Sequence, residues 1–129
     1  MTKLMPYLLV GAGSFIGGNA RFVLARWVGG VVDGRFPLGT FLVNVSGSFL
    51  LGVIGALLAE RAFPHADAIR LALGTGFCGG FTTFSTFEWE THALFEDGLW
   101  LPAVANLVLS LAAGLVAVRL GVVVARSLS

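Results

Sequence analysis

Residues 36–59 read FPLGTFLVNVSGSFLLGVIGALLA and contain no charged side chain. A helix needs about 20 mostly apolar residues to cross the hydrocarbon core of a bilayer, and this stretch meets that requirement. Three further stretches also meet it, namely residues 4–28, 69–95 and 99–124. We therefore predict an all-α membrane protein with four transmembrane helices, forming a single transmembrane domain over residues 1–129.

The composition also indicates a membrane protein. Hydrophobic residues make up 57% of the chain and charged residues 12%, whereas about 25% of the residues in a soluble domain are charged. A net charge of +1, with the basic residues scattered, argues against a nucleic-acid partner. Because the sequence contains no nucleophile paired with a base and no metal-ligand spacing, we do not expect an enzyme.

Short polar segments with Gly or Pro separate the four stretches and predict turns in water. An even number of spans places both termini on one side of the membrane. Lys and Arg, which set orientation, are only slightly more frequent on that side. The side of the termini has Lys3, Arg61, Arg70 and Arg126, and the opposite side has Arg26 and Arg35. The bias favours cytoplasmic termini slightly and is compatible with insertion in both orientations.

Small residues four apart predict close helix packing in lipid, as at Gly13 with Gly17, Ser14 with Gly18 and Ser48 with Gly52.

Residues 74–80, GTGFCGG, contain four glycines in seven residues. Each glycine costs a helix about 1 kcal/mol relative to alanine. We predict that the third helix is broken here, with carbonyls that could hold a cation. The alternative is that these glycines only allow close packing.

Residues 81–87, FTTFSTF, follow directly. Phe84 and Phe87 are three residues apart, so a helix places them on one face. An aromatic ring has a positive edge that favours an anion in the ring plane. Hydroxyl groups nearby and the amide of Asn44 are possible donors to that anion. The residues alone indicate a possible anion path, with ordinary packing as the alternative.

The motif GFCGGFTTFSTF at residues 76–87 closely resembles the signature of the Fluc/CrcB fluoride channel family. The segments GTFLVN at residues 39–44 and GGNAR at residues 17–21 are similar to two further motifs of that family. The resemblance covers essentially the whole chain. It implies an antiparallel, dual-topology homodimer in the cell inner membrane that passively exports cytoplasmic fluoride through two pores. A structural sodium ion (Na+) would lie at the centre of the dimer.

Carried over residue by residue, the resemblance implies a pore lined by Phe84, Phe87 and Asn44. Backbone carbonyls of Gly79 and Thr82 would bind the sodium ion. Further pore positions implied in this way are Thr40, Thr83, Ser110 and Arg21, with a family carboxylate at Glu90.

Glu88 departs from the family pattern, because a small polar residue is common after the second phenylalanine. A second carboxylate beside Glu90 would repel an anion unless it is protonated, paired or turned away.

Two other functions remain open. A small drug/proton antiporter would need a carboxylate within the membrane, and the first span has none. A non-transporting assembly subunit would use the glycines for packing alone.

Overall fold

The structure of the chain, a computed structural model, describes residues 1–128. Within that range five helices follow one another: α1 (Met5–Val31), α2 (Leu38–Glu60), α3 (residues 66–81), α4 (Phe84–Glu96) and α5 (Trp100–Ser127). Helix α3 is composite, with α-helical Ala66–Ile69, π-helical Arg70–Cys78 and α-helical Gly79–Phe81. No strand occurs in the described residues, which confirms the all-α prediction.

Three of these helices are long and apolar enough to cross a membrane. They are α1, α2 and α5, with 27, 23 and 28 residues. The third predicted span is divided between α3 and α4, which are separated by Thr82 and Thr83, so neither half qualifies by its own length. The structure thus confirms a multi-pass arrangement with a broken helix, and shows three complete spanning helices among the described residues.

Helix α1 packs against α3 at very short range through glycine. A Cβ atom added at Gly13 would lie 2.0 Å from the Ala72 carbonyl oxygen, and one at Gly17 would lie 2.2 Å from that of Phe77. Real side chains do not approach a backbone atom so closely, so only glycine fits at both positions. The predicted packing role of this pair is confirmed.

Helices α2 and α5 form a second close pair. A Cβ atom at Gly52 would lie 2.3 Å from the Val118 carbonyl oxygen, and one at Gly121 would lie 2.2 Å from that of Phe49. The C-terminal ends of the two helices meet at an ion pair of Glu60 and Arg126, 2.6 Å apart. Because both side chains are solvent-accessible, this pair contributes only about 0 to 1 kcal/mol.

The predicted position of the helix break, residues 74–80, was wrong. Those residues remain helical, and the chain becomes extended only at Thr82 and Thr83. Two of the glycines lie against α1 instead. A Cβ atom at Gly76 would lie 2.9 Å from the Val10 carbonyl oxygen, and one at Gly80 would lie 2.8 Å from that of Ser14. Close packing, the alternative interpretation, explains these two glycines.

Candidate ion pathway

The break between α3 and α4 consists of two threonines whose polar groups are hydrogen-bonded. Thr82 (φ −87°, ψ 157°) and Thr83 (φ −148°, ψ 119°) both have extended backbones. The Thr82 amide and hydroxyl both donate to the Cys78 carbonyl, at 3.0 and 2.8 Å. The Thr83 hydroxyl oxygen accepts from the Thr86 amide at 3.3 Å and so caps the start of α4.

Asn44 of α2 pairs with the backbone of the break. The Thr83 amide donates to Asn44 Oδ1 at 2.7 Å, and Asn44 Nδ2 donates to the Thr83 carbonyl at 3.0 Å. Backbone groups within a membrane must find partners inside the protein. The Asn44 side chain therefore satisfies both backbone groups of Thr83.

A groove of about 470 Å³ opens at this break, between α2, the two halves of the third span and α5. Phe84 and Phe87 both line it, and their ring centroids are 5.9 Å apart. The two rings differ in exposure, since Phe84 is 71% exposed and Phe87 4%. No charged side chain lines the groove. Its polar lining comprises Asn44, Ser48, Thr82, Thr83 and Ser110, with the backbone of Gly79.

The hydroxyl groups in the groove donate their hydrogens inside the chain. Ser110 Oγ donates to Asn106 Oδ1 at 3.0 Å, and Thr83 Oγ1 donates to Thr86 Oγ1 at 3.1 Å. Ser48 and Thr82 donate to backbone carbonyls of their own helices. A hydroxyl has only one hydrogen to donate, whereas an Asn amide has two. In this arrangement each of these hydroxyls uses its hydrogen within the chain, whereas Asn44 Nδ2 has one hydrogen beyond the bond to Thr83.

Four of the predicted residues, Arg21, Thr40, Glu88 and Glu90, lie away from the groove. Arg21 Nε donates to the Gly80 carbonyl at 3.0 Å, so this arginine caps the C-terminal end of α3. Glu88 is exposed and does not line the groove. Thr40 lies one helical turn from Asn44 along α2, and its hydroxyl donates to Glu90 Oε1 at 2.8 Å.

Glu90 and Thr40 line a second groove of about 400 Å³ beside the connection between α1 and α2. This groove is more polar and also includes Asp33 and Arg35. Oε2 of Glu90 is buried and has no hydrogen-bond partner in the described residues. The carboxylate therefore lies near the N-terminal end of α2, between Thr40 and the loop that connects α1 to α2.

Sequence reasoning missed a buried polar chain that joins α4 to α5. Asn106 is 1% exposed, and its Nδ2 donates to Thr91 Oγ1 at 2.8 Å. The Thr91 hydroxyl in turn donates to the Phe87 carbonyl at 2.7 Å. The available signal was spacing, since Asn106 and Ser110 are four apart on α5 and Thr91 follows Phe87 by four on α4. This chain fixes the backbone of Phe87 relative to Ser110.

A family model described as "CrcB-like protein, Camphor Resistance (CrcB)" matches residues 8–122, nearly the whole chain. The chain belongs to the CrcB family. The resemblance stated from residues 76–87 is thereby confirmed, as is the expectation that the protein is not an enzyme.

Several proteins are similar to this CrcB chain over almost their full length. A Solibacter usitatus protein is 46% identical over 122 residues, covering 95% of this chain and 99% of the relative. A Moorella thermoacetica protein is 47% identical over 124 residues, covering 96% and 99%. A Ruminiclostridium cellulolyticum protein is 38% identical over 129 residues, covering 100% and 98%. The first and third are named "Fluoride-specific ion channel FluC" and the second "Fluoride-specific ion channel FluC 2".

The break in this CrcB chain changes the bonding of the backbone carbonyls at residues 79–82. In an unbroken helix the Thr83 amide would donate to the Gly79 carbonyl, but here it donates to Asn44. The carbonyls at the C-terminal end of α3 also carry the negative end of the helix dipole. No cluster of three acidic, His or Cys side chains occurs in residues 1–128. The break therefore leaves the Gly79 carbonyl without its helical donor.

Thr83→Ala should destabilise the start of α4. The variant removes the cap on the Thr86 amide, and loss of such a cap costs about 1 kcal/mol. Hydrogen exchange measured by mass spectrometry should therefore speed up at residues 84–86. Thr83→Ser retains a hydroxyl and serves as the control. Equal exchange in the two variants would show that Thr83 does not act as the cap.

Proposed function

We propose that the chain is a fluoride-selective passive channel that exports cytoplasmic fluoride across the cell inner membrane. The observation that carries the proposal is the groove at the helix break, where Phe84, Phe87 and Asn44 meet at a site with no charged lining. The names of the relatives, which match over nearly the full chain, support fluoride as the ion.

The chemistry of the groove suits a small, hard anion. Ring edges carry partial positive charge, and an amide N–H forms a stronger hydrogen bond with an anion than with a neutral acceptor. A Lys or Arg in the groove would bind the ion more tightly, whereas conduction needs binding weak enough for release. The uncharged lining therefore favours passage over retention.

The working unit we propose is an antiparallel homodimer. In one chain the groove is open on one side, and Phe84 is largely exposed at a depth where a lone chain would present it to lipid. Polar residues are also exposed within the spanning helices, including Asn19 and Thr75. A second copy would cover these groups. The small Lys and Arg bias is compatible with both orientations, and two copies would bring two grooves and hence two pores.

We propose further that a sodium ion is held structurally at the centre of the dimer. One chain contributes the carbonyls of Gly79 and Thr82, which are too few for a hard cation that takes about six oxygen ligands. Gly79 is exposed, and a Cβ atom added there would have no neighbour within 4 Å. The equivalent carbonyls of a second copy have room to approach it.

Purified protein in liposomes should release fluoride far faster than chloride when a potassium gradient and valinomycin set the potential. Ion-selective electrodes follow both anions, with internal and external pH buffered to the same value. Protein-free liposomes and a chloride-loaded batch from the same preparation are the controls. Equal release of both anions, or no fluoride release from vesicles shown to contain folded protein, would contradict the proposal.

A proton-coupled carrier remains the second candidate because of one observation, the buried and unpartnered Oε2 of Glu90. Proton-coupled carriers depend on an embedded carboxylate. The same liposomes separate the two functions. A channel releases fluoride without moving protons, whereas a proton-coupled carrier would move protons in a fixed ratio to fluoride, which a pH electrode in weakly buffered medium detects.

A further inference from the structure

Asn44 makes two hydrogen bonds to a single residue, and both go to the backbone of the break. We propose that Asn44 is a positioning residue that clamps the Thr83 peptide in its extended form and thereby leaves the Gly79 carbonyl free to bind a cation. This inference rests on the proposed function, because it assigns to one side chain the link between the anion groove and the cation site.

The two hydrogen bonds between Asn44 and Thr83 resemble those between adjacent β-strands. In an extended residue such as Thr83, the N–H and the C=O point to the same side, and a neighbouring strand exchanges one bond with each. The Asn44 amide offers an acceptor and a donor in the same arrangement, at 2.7 and 3.0 Å. One side chain thus replaces a strand neighbour, within a helical protein.

The clamp competes directly with helix formation. If Thr83 were helical, its amide would bond to the Gly79 carbonyl. With the amide held by Asn44 Oδ1, the last amide of α3 that bonds along the helix is that of Thr82, which reaches Cys78. The Gly79 carbonyl loses its helical donor as a result. The acceptor oxygen of Asn44, rather than its N–H groups, controls whether that carbonyl is available.

Gly47 allows α2 to approach closely enough for this contact. It lies three residues after Asn44 on the same face of α2, and a Cβ atom there would lie 2.3 Å from Thr82 Cγ2. A side chain at this position would collide with the Thr82 methyl group, and either that methyl group or the helix would have to move. Asn44 and the space left by the missing side chain of Gly47 therefore lie on one face of α2.

The other role for Asn44 is donation to an anion alone, and the two roles use different atoms. The clamp uses Oδ1 and one hydrogen of Nδ2, while the second hydrogen remains for the groove. Asn44→Asp retains the acceptor for the Thr83 amide, which is the bond that frees the Gly79 carbonyl, and removes both the donor to the Thr83 carbonyl and the donor to the groove. Asn44→Ala removes the acceptor as well.

The test is hydrogen exchange of the full chain in detergent, resolved to the Thr83 amide. In Asn44→Ala that amide should exchange about fivefold faster, since one hydrogen bond is worth about 1 kcal/mol. Asn44→Asp retains the acceptor but loses the bond to the Thr83 carbonyl, so its Thr83 amide should stay more protected than that of Asn44→Ala while fluoride efflux is lost. Ser46→Ala is the control, because its hydroxyl bonds only within α2, to the carbonyls of Leu42 and Val43, and its side chain is exposed.

A second readout follows the cation without measuring transport. Thermal unfolding of the wild type and of Asn44→Asp should shift upward when sodium chloride replaces N-methylglucamine chloride, and Asn44→Ala should lose that shift. Should Asn44→Ala fail to fold, Asn44→Asp alone decides, because rapid exchange at Thr83 or a lost sodium shift in that variant would overturn the clamp. Wild-type protection of Thr83 in Asn44→Ala, or no sodium shift in the wild type, would overturn it too.

Failure of the clamp is distinguishable from failure of the proposed function. If wild-type liposomes release fluoride and the Thr83 amide stays protected in Asn44→Ala, the channel proposal stands and the clamp proposal is wrong. If wild-type liposomes release no fluoride, the channel proposal is wrong whatever the exchange data show.

Discussion

Replacement of Phe84 or Phe87 by isoleucine is expected to reduce fluoride efflux from liposomes about tenfold or more, since a loss of 1.4 kcal/mol at the barrier slows passage about tenfold. Isoleucine retains much of the apolar volume but has no ring edge with partial positive charge. Both rings line the uncharged groove, where few other groups could compensate for that loss. Initial efflux rates read with a fluoride electrode, at matched protein content, measure the effect.

The matched control is Phe95→Ile on the same helix. Phe95 packs edge-to-face on Trp100, with centroids 4.8 Å apart, and does not line the groove. Its efflux should equal that of the wild type. The ring-edge argument fails if all three variants conduct alike, or if the loss in the groove variants is matched by loss of folded protein on size-exclusion chromatography.

Gly17→Ala is expected to have the largest effect on stability. The new methyl group would lie 2.2 Å from the Phe77 carbonyl oxygen and 3.0 Å from the Phe81 amide nitrogen. Both atoms belong to the backbone of α3, so relief requires separation of the two helices. Overpacking of this kind costs about 1–3 kcal/mol or more. A lower midpoint of thermal unfolding, followed by loss of the monodisperse peak, measures it.

Gly18→Ala is an unusually close control for this substitution. Gly18 adjoins Gly17 on α1, and a Cβ atom there would meet nothing within 4 Å. Alanine is the better helix former by about 1 kcal/mol, so this variant should be as stable as the wild type or more so. Equal destabilisation of the two variants would mean that the contact between α1 and α3 does not depend on Gly17.

The general architecture could be predicted because it depends on composition and length. The uncharged run at residues 36–59 requires a membrane helix, and the spacing of Gly13 and Gly17 requires a close neighbour. The face shared by Phe84 and Phe87 follows from a three-residue interval. These properties are local to a segment, so they can be recognised before the segment's partners are known.

The exact break and the roles of the polar groups depend on partners distant in sequence, so they could not be predicted. Glycine content located the break too early, because Gly76 and Gly80 are packed against α1. Asn44 was predicted as an anion donor, but whether its amide reaches Thr83 depends on the approach of α2 to the break. Ser110 donates to Asn106, and the orientation of Asn106 depends in turn on Thr91 of α4.

The π-helical stretch at Arg70–Cys78 has a consequence for how such chains diverge. A π-turn closes its hydrogen bonds across five residues where an α-turn uses four. Loss of one residue from this stretch could therefore be absorbed as it tightened toward an α-helix, with Thr82 and Thr83 kept in register against α2. An insertion or deletion between Thr82 and Phe87 could not be absorbed in this way, because it would shift the rings of Phe84 and Phe87 relative to the Thr83 amide and Asn44. Length variation among relatives should thus be tolerated before the break and excluded within it.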